Sequence, residues 1–192
     1  MFVENAPCLK KLLDMNPESL IHKYYASQPE LEQLLLRHSH DVADRAVRIA
    51  GMHPQWQVDT TFLYEAAMLH DIGILYVNAP SIHCHGDKPY IQHGILGAEL
   101  LRREGLPRHA RVAERHTGTG LTREDIETQS LPLPPGDYRP ETLEEQIVCY
   151  ADKFYSKSRP EEEKDFTQAL RSLEKFGPKG LEVFKRWKEE FE

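Results

Sequence analysis

The stretch Glu65-Ala66-Ala67-Met68-Leu69-His70-Asp71-Ile72-Gly73 limits the fold more than any other part of the chain. Its apolar residues recur at helical spacing and so belong against a core, yet the run ends on two adjacent ionisable groups. Ala66, Ala67 and Leu63 lie one and two turns before His70, so the imidazole leaves from the buried face of the helix. A buried polar ring needs a partner, and a single buried histidine ordinarily finds one in the backbone. Here His38, His93, His116 and Asp152 occupy the same kind of position on four other predicted helices.

Composition narrows the class. With 192 residues, 40% of them hydrophobic, the chain can bury one good-sized core, and a single domain is expected. The net charge of -7, from 31 acidic against 24 basic residues, comes without a long basic run, which argues against nucleic acid as a partner. The 10 histidines are the compositional anomaly. The three cysteines, Cys8, Cys84 and Cys149, are too scattered for a disulfide framework or a zinc ribbon and fit a reducing compartment. No apolar run has membrane-spanning length, and the N-terminus lacks the pattern of a signal peptide. A soluble cytoplasmic protein with a small-molecule partner and no membrane contact is expected.

In chain order, Asn16-Pro17 caps a helix running to about Tyr25. From Pro29 a long amphipathic helix places Leu31, Leu34, Leu35, His38, Val42, Ala46, Ile49 and Ala50 on one stripe and stops before Pro54. His40 points away with Asp41 and Asp44. Asp59 or Thr60 caps the helix carrying His70, with Gly73 as its C-terminal stop. Between Ile74 and Gln92 the periodicity disappears; a loop that long is usually functional. Its His83-Cys84-His85 could hold a separate metal, but a lid offering His85 or Lys88 to a substrate is the better expectation. Helices resume at His93, where Gly94, Gly97 and Ala98 allow close backbone approach, and at Pro107, whose helix ends on His116 before Thr117-Gly118-Thr119-Gly120. Thr122 and Asp125 form a capping box for a helix to about Thr128, and Gln129 to Pro140 is a proline-rich connector. A helix over Thr142 to Ser158 turns Asp152 inward. Two amphipathic helices divided by Gly177-Pro178 complete the core or provide a homodimer contact.

Together the apolar faces bring His38, His70, Asp71, His93, His116 and Asp152 inward. Imidazoles and carboxylates without thiolate suit Fe, Mn, Zn or Ni. The set is too large for one tetrahedral site with an open position, and it suits two divalent metals with Asp71 as the bridge. His38, His70 and Asp152 complete one position, and His93 and His116 the other. A hydroxide shared by the metals would be the nucleophile, and each metal could bind a phosphoryl oxygen.

The order His38, His70-Asp71, Asp152, with Leu69-His70-Asp71-Ile72-Gly73 as signature, resembles the HD superfamily of metal-dependent phosphohydrolases over roughly Leu31 to Arg159. His38-Ser39 with Val42-Ala43, His93-Gly94 with Gly97-Ala98-Glu99, and Arg115-His116-Thr117 resemble its dinuclear branch. Within that branch the similarity is to bacterial enzymes that split diadenosine tetraphosphate symmetrically. The resemblance implies an all-α, single-domain helical bundle with a long lid-like loop. It also implies the six residues as metal ligands, with His70 and Asp71 catalytic, two divalent ions with iron first, and hydrolysis of a phosphoanhydride or phosphoester bond of a nucleotide. The expected organisation is a helical lead over 1–27, the HD core over 28–159 and packing helices over 160–192. Thr117-Gly118-Thr119-Gly120-Leu121 replaces the Gly-Tyr-Pro element of cyclic-dinucleotide phosphodiesterases, which argues against that substrate. Ile74 stands where a basic residue is common, so phosphate falls to Lys153 and Arg159. The alternatives are an HD-type di-iron oxygenase, which shares the ligand types, and a non-catalytic nucleotide-sensing module, which would lack a ligand.

Overall fold

The computed structural model describes residues 15–192. Residues 1–14, which hold Cys8 and the first part of the helical lead expected over 1–27, therefore lie outside the described residues. The fold is all-α, with nine α-helices among the described residues and one two-stranded ribbon. The helices are α1 (Pro17–Tyr25), α2 (Pro29–Met52), α3 (Thr60–Leu69), α4 (His93–Arg103), α5 (Pro107–Arg115), α6 (Arg123–Thr128), α7 (Leu143–Asp152), α8 (Phe166–Ser172) and α9 (Pro178–Phe191).

Local chemistry sets many of these ends. The Asn16 and Asp59 side chains accept from Ser19 N and Phe62 N and satisfy free donors at the starts of α1 and α3. Thr122 with Asp125 and Thr142 with Glu145 close reciprocal capping boxes on α6 and α7. Helix α2 buries Leu31, Leu35, Val42, Ala46 and Ile49, as its stripe requires, and packs on α3 and α7. The aromatic faces of the last helices close the core. Phe166 stacks on Phe184, and Tyr150 meets Phe184 and Phe191.

Two boundaries differ from expectation, and both shape the site. Helix α3 stops at Leu69, before Gly73, and the chain tightens into a 3₁₀ turn over Ile72–Tyr76. Gly73 is needed for clearance rather than as a left-handed cap, because a Cβ there would overlap His93 O and Gly97 N. Buried Tyr25 holds this turn, donating to Ile72 O and accepting from Leu75 N. Gly94 serves the same purpose against α5, where a Cβ would stand 2.6 Å from Ala113 O.

Helix α7 ends at Asp152 instead of continuing to Ser158. Its last bonds shorten to three-residue spacing, Lys153 N to Tyr150 O and Phe154 N to Ala151 O, and Lys164 N then binds Phe154 O as the chain returns. The long loop is ordered too. Asn78 pairs with His85 and Ala79 with Cys84 in antiparallel register, and Asn78 N donates to Lys88 O. No helix of the described residues is long and apolar enough to cross a membrane.

Gly73→Ala is expected to cost about 1–3 kcal/mol in urea unfolding, because the added methyl meets backbone that cannot yield. Gly51→Ala, with open space around its Cβ, is expected to gain about 0.5–1 kcal/mol. Equal effects of the two changes would contradict the role given to Gly73.

Candidate metal centre

The six inward residues come from helix ends and one helix interior. His70 and His116 stand at the C-caps of α3 and α5, His93 opens α4, Asp152 closes α7, and His38 projects from the middle of α2. Helix ends leave backbone carbonyls free, and the imidazoles use them. His70 Nδ1 donates to Ala67 O at 2.6 Å, His116 Nδ1 to Ala113 O at 2.7 Å and His93 Nδ1 to Tyr90 O at 2.7 Å. Each bond fixes the tautomer that turns the Nε2 lone pair into the site, as metal-ligating histidines require. His38 Nδ1 has no such partner.

Asp71 is wholly buried, and its two oxygens divide the cluster. Oδ2 lies 3.1 Å from His38 Nε2 and 3.0 Å from His70 Nε2, while Asp152 Oδ1 lies 3.1 Å from His38 Nε2 and 3.4 Å from His70 Nε2. Oδ1 lies 3.3 Å from His93 Nε2 and 3.4 Å from His116 Nε2. In each group, His38, His70, Asp71 and Asp152 on one side and Asp71, His93 and His116 on the other, the donor atoms fall within 4.8 Å of one another.

These donors fit a divalent metal site. Neither oxygen of Asp71 has a partner in hydrogen-bond geometry, although a buried carboxylate ordinarily collects several; Oδ2 has the Lys157 ammonium as an ion-pair contact, and Oδ1 faces only the two imidazoles. His93 and His116 bring their Nε2 atoms to 2.9 Å with both Nδ1–H groups already committed to carbonyls. Two facing lone pairs repel, and a cation between them and Asp71 Oδ1 removes the conflict.

The charges are set by burial and by one another. Burial pushes His93 down to about 3 and lowers His116, so both rings stay neutral and able to ligate. Burial also works to lower His70, but the Asp71 and Asp152 carboxylates outweigh it and raise that ring to about 9. Burial would raise both carboxyls, yet Lys157 with His70 holds Asp71, and Lys153 with His38 and His70 holds Asp152, well below the usual carboxylate range.

A cavity of about 420 Å³ opens over the cluster, with His93, His116 and Asp152 in its wall. Lys153, Lys157, Lys164 and Lys175 also line it, and Asp152 is its lone carboxylate among the described residues. The Lys153 ammonium is committed inside the site, donating to Asp152 Oδ2 at 2.6 Å and His116 O at 2.9 Å. Lys157, which the sequence did not single out, reaches Asp71 Oδ2 with its ammonium and is almost fully buried. A helix running through Ser158 would have turned it about 140° from Asp152; the early end of α7 brings it back. The neighbouring run of lysines and hydroxyls, Lys153 to Ser158, was the available signal.

The other residues expected at a substrate lie elsewhere. Arg159 is exposed and paired with Glu162, and Lys88 is paired with Asp87. His85 is exposed, and none of the three lines this cavity. The loop does reach the cavity, but through Ala79, Ser81 and Ile82. In His83-Cys84-His85 the thiol is buried and His83 faces Glu30, and no metal-type group forms there among the described residues.

The HD domain family model matches residues 35–156. The chain is 40% identical over 129 residues to a tRNA (cytidine(56)-2'-O)-methyltransferase of Picrophilus torridus, covering 67% of this chain and 33% of that protein. It is 44% identical over 98 residues to protein MJ0778 of Methanocaldococcus jannaschii, covering 50% of each. The chain thus spans about a third to a half of the length of these relatives. Among solved structures, the HD domain of the L. monocytogenes phosphodiesterase PgpH in complex with cyclic-di-AMP superposes with a TM-score of 0.52 at 16% identity, over 88% of this chain and 92% of that one. At that identity the likeness is one of fold.

In metal-stripped protein, a ring raised from 6.5 to about 9 contributes stability that is fully present below pH 6.5 and is lost as pH rises through about 9. Chelator-treated protein is therefore expected to lose urea stability relative to its His70→Gln variant between pH 6.5 and about 9. A constant difference across that window would contradict the role of the two carboxylates.

Proposed function

The chain belongs to the HD domain family, and from that premise we propose that it is a dinuclear metal-dependent phosphohydrolase acting on a nucleotide. The observation that carries this reading is the division of Asp71, with one oxygen toward His38 and His70 and the other toward His93 and His116. His38, His70, Asp71 and Asp152 would hold one divalent ion, and Asp71, His93 and His116 a second, with iron the first candidate. Such ions would activate water as a nucleophile and polarise a phosphoryl oxygen.

The chain's own side chains supply the rest. Lys157 and Lys164 place positive charge on the cavity wall beside the cluster, where a phosphate would otherwise meet only Asp152. Lys157 is charged at any working pH, because Asp71 raises its pKa against the effect of burial. Lys153 orients Asp152 and the end of α5 through its two hydrogen bonds, so its part is positioning. The Cys149 thiol does similar work from the other side, donating to His116 O and Gly118 O. Tyr90, partly exposed at the mouth and tilted against His93, and Phe176, packed over Gly118, offer aromatic faces for a base.

Symmetrical cleavage of diadenosine tetraphosphate is the substrate reading we favour within this class. The full complement of ligands and the cationic cavity support hydrolysis over a sensing module. The relative named as a tRNA methyltransferase is matched over a third of its length, so its activity is not carried over to this chain. The core over 28–159, with the helices of 160–192 packed on it, is the unit to which we assign the activity.

Wild-type protein supplied with Fe, Mn or Ni is expected to release ADP from diadenosine tetraphosphate. Asp71→Asn is expected to lose at least about a hundredfold in rate, with unchanged circular dichroism. Turnover like the wild type in that variant would refute the role of Asp71. Substrate-dependent oxygen uptake without phosphate or nucleotide release would replace hydrolysis with the oxygenase reading.

A further inference from the structure

A second cavity, of about 450 Å³, adjoins the first and shares Ser156, Lys164 and Ser172 with it. Both volumes fall within the range of about 300–1,000 Å³ typical of small-ligand sites. The second is walled by Arg159, Lys164 and Arg171, with Glu162 as the acid among them. Glu162 pairs with Arg159 at 3.3 Å where both are exposed, a contact that water weakens. Among the described residues neither Lys164 nor Arg171 takes part in an ion pair, and the Lys164 ammonium reaches only a backbone carbonyl, Lys153 O, at 3.3 Å.

This concentration of cations runs against the rest of the chain. The protein carries a net charge of -7, yet the two adjoining cavities are lined by Lys153, Lys157, Lys164, Lys175, Arg159 and Arg171 against Asp152 and Glu162. Lys153, Lys157 and Arg159 have carboxylate partners, whereas Lys164, Lys175 and Arg171 form no ion pair among the described residues, and like charges gathered in this way repel and cost stability. A single phosphate at the metal cluster would be met by the first cavity alone. The arginines beyond it have the fork geometry that grips phosphate oxygens in pairs.

We propose that the cavity formed by Arg159, Lys164 and Arg171 is a second anion subsite, continuous with the metal-side cavity through Ser156, Lys164 and Ser172. It would take the distal part of a phosphate chain, so the substrate class is a nucleotide whose linked phosphates span both cavities. Arg159 thus acts at a distance from the metals. The assignment of a nucleotide rests on the phosphohydrolase reading; the subsite for linked phosphates does not.

The test is binding to metal-free, chelator-treated protein, with inorganic tripolyphosphate and orthophosphate as probes, measured by calorimetry at constant ionic strength. Tripolyphosphate is expected to bind at least about tenfold tighter than orthophosphate, and Arg159→Gln with Arg171→Gln to remove most of that advantage. The control pair Arg103→Gln with Arg123→Gln, equal in charge and exposed on other helices, is expected to stay within about twofold of wild type. The subsite is overturned if tripolyphosphate binds no tighter than orthophosphate, or if both double variants weaken it equally. Binding of single-stranded RNA without binding of tripolyphosphate also overturns it. Adenosine tetraphosphate binding tighter than tripolyphosphate, again dependent on Arg159 and Arg171, supports a nucleotide over inorganic polyphosphate as the source of the chain. Hydrolysis is scored separately on metal-loaded wild-type protein, so its absence would count against the phosphohydrolase reading and leave the binding result standing.

Discussion

A fully buried carboxylate with both oxygens aimed at imidazole nitrogens is the constraint on which the rest of this structure depends. Taking Asp71 out of water costs several kcal/mol unless opposite charge or hydrogen bonds compensate. The fold supplies them through Lys157 and His70, which keep the group ionised. It also supplies rigidity. Three of the four imidazoles are tied to carbonyls at or beside helix ends, so their Nε2 atoms cannot turn away when a cation is absent. Close backbone contact at Gly73 and Gly94 brings α3, α4 and α5 near enough for those rings to share one carboxylate.

The convergence of the six residues was legible because it is written in helix periodicity. His38 and Asp152 sit on apolar stripes, and His70, His93 and His116 stand at ends where the buried face is unambiguous. All six residues named from the sequence converge in the structure. What periodicity cannot show is where a helix stops when no breaker is present. Nothing between Asp152 and Arg159 is proline or glycine, so the turn that delivers Lys157 was hidden inside an apparent continuation of α7. Gly73 was misread for a related reason. Glycine after an apolar run signals a left-handed cap, whereas here it clears space for His93 O and Gly97 N, a tertiary demand that no local pattern encodes.

The substrate side was less legible, since it depends on loops and tertiary return. Lysines from the stretch after α7, the approach to α8 and the turn before α9 meet around one cavity, although Lys153 and Lys175 are far apart in sequence. Taken singly, each lysine looks like a solvated surface charge. Gathered beside a metal-type cluster in an acidic protein, they favour an anionic ligand. Metal-type donors and a cationic wall are the two parts the proposed phosphohydrolase would need, and here they share Asp152 and the ends of α4 and α5.

The most direct test of two metals divided by Asp71 is metal content by elemental analysis, on freshly purified wild-type protein and on His38→Ala and His116→Ala variants. Two divalent ions per chain in wild type, falling to about one in each variant, is the result a carboxylate-bridged pair predicts. One ion in wild type that is lost in His38→Ala and kept in His116→Ala would contradict it and leave a mononuclear centre.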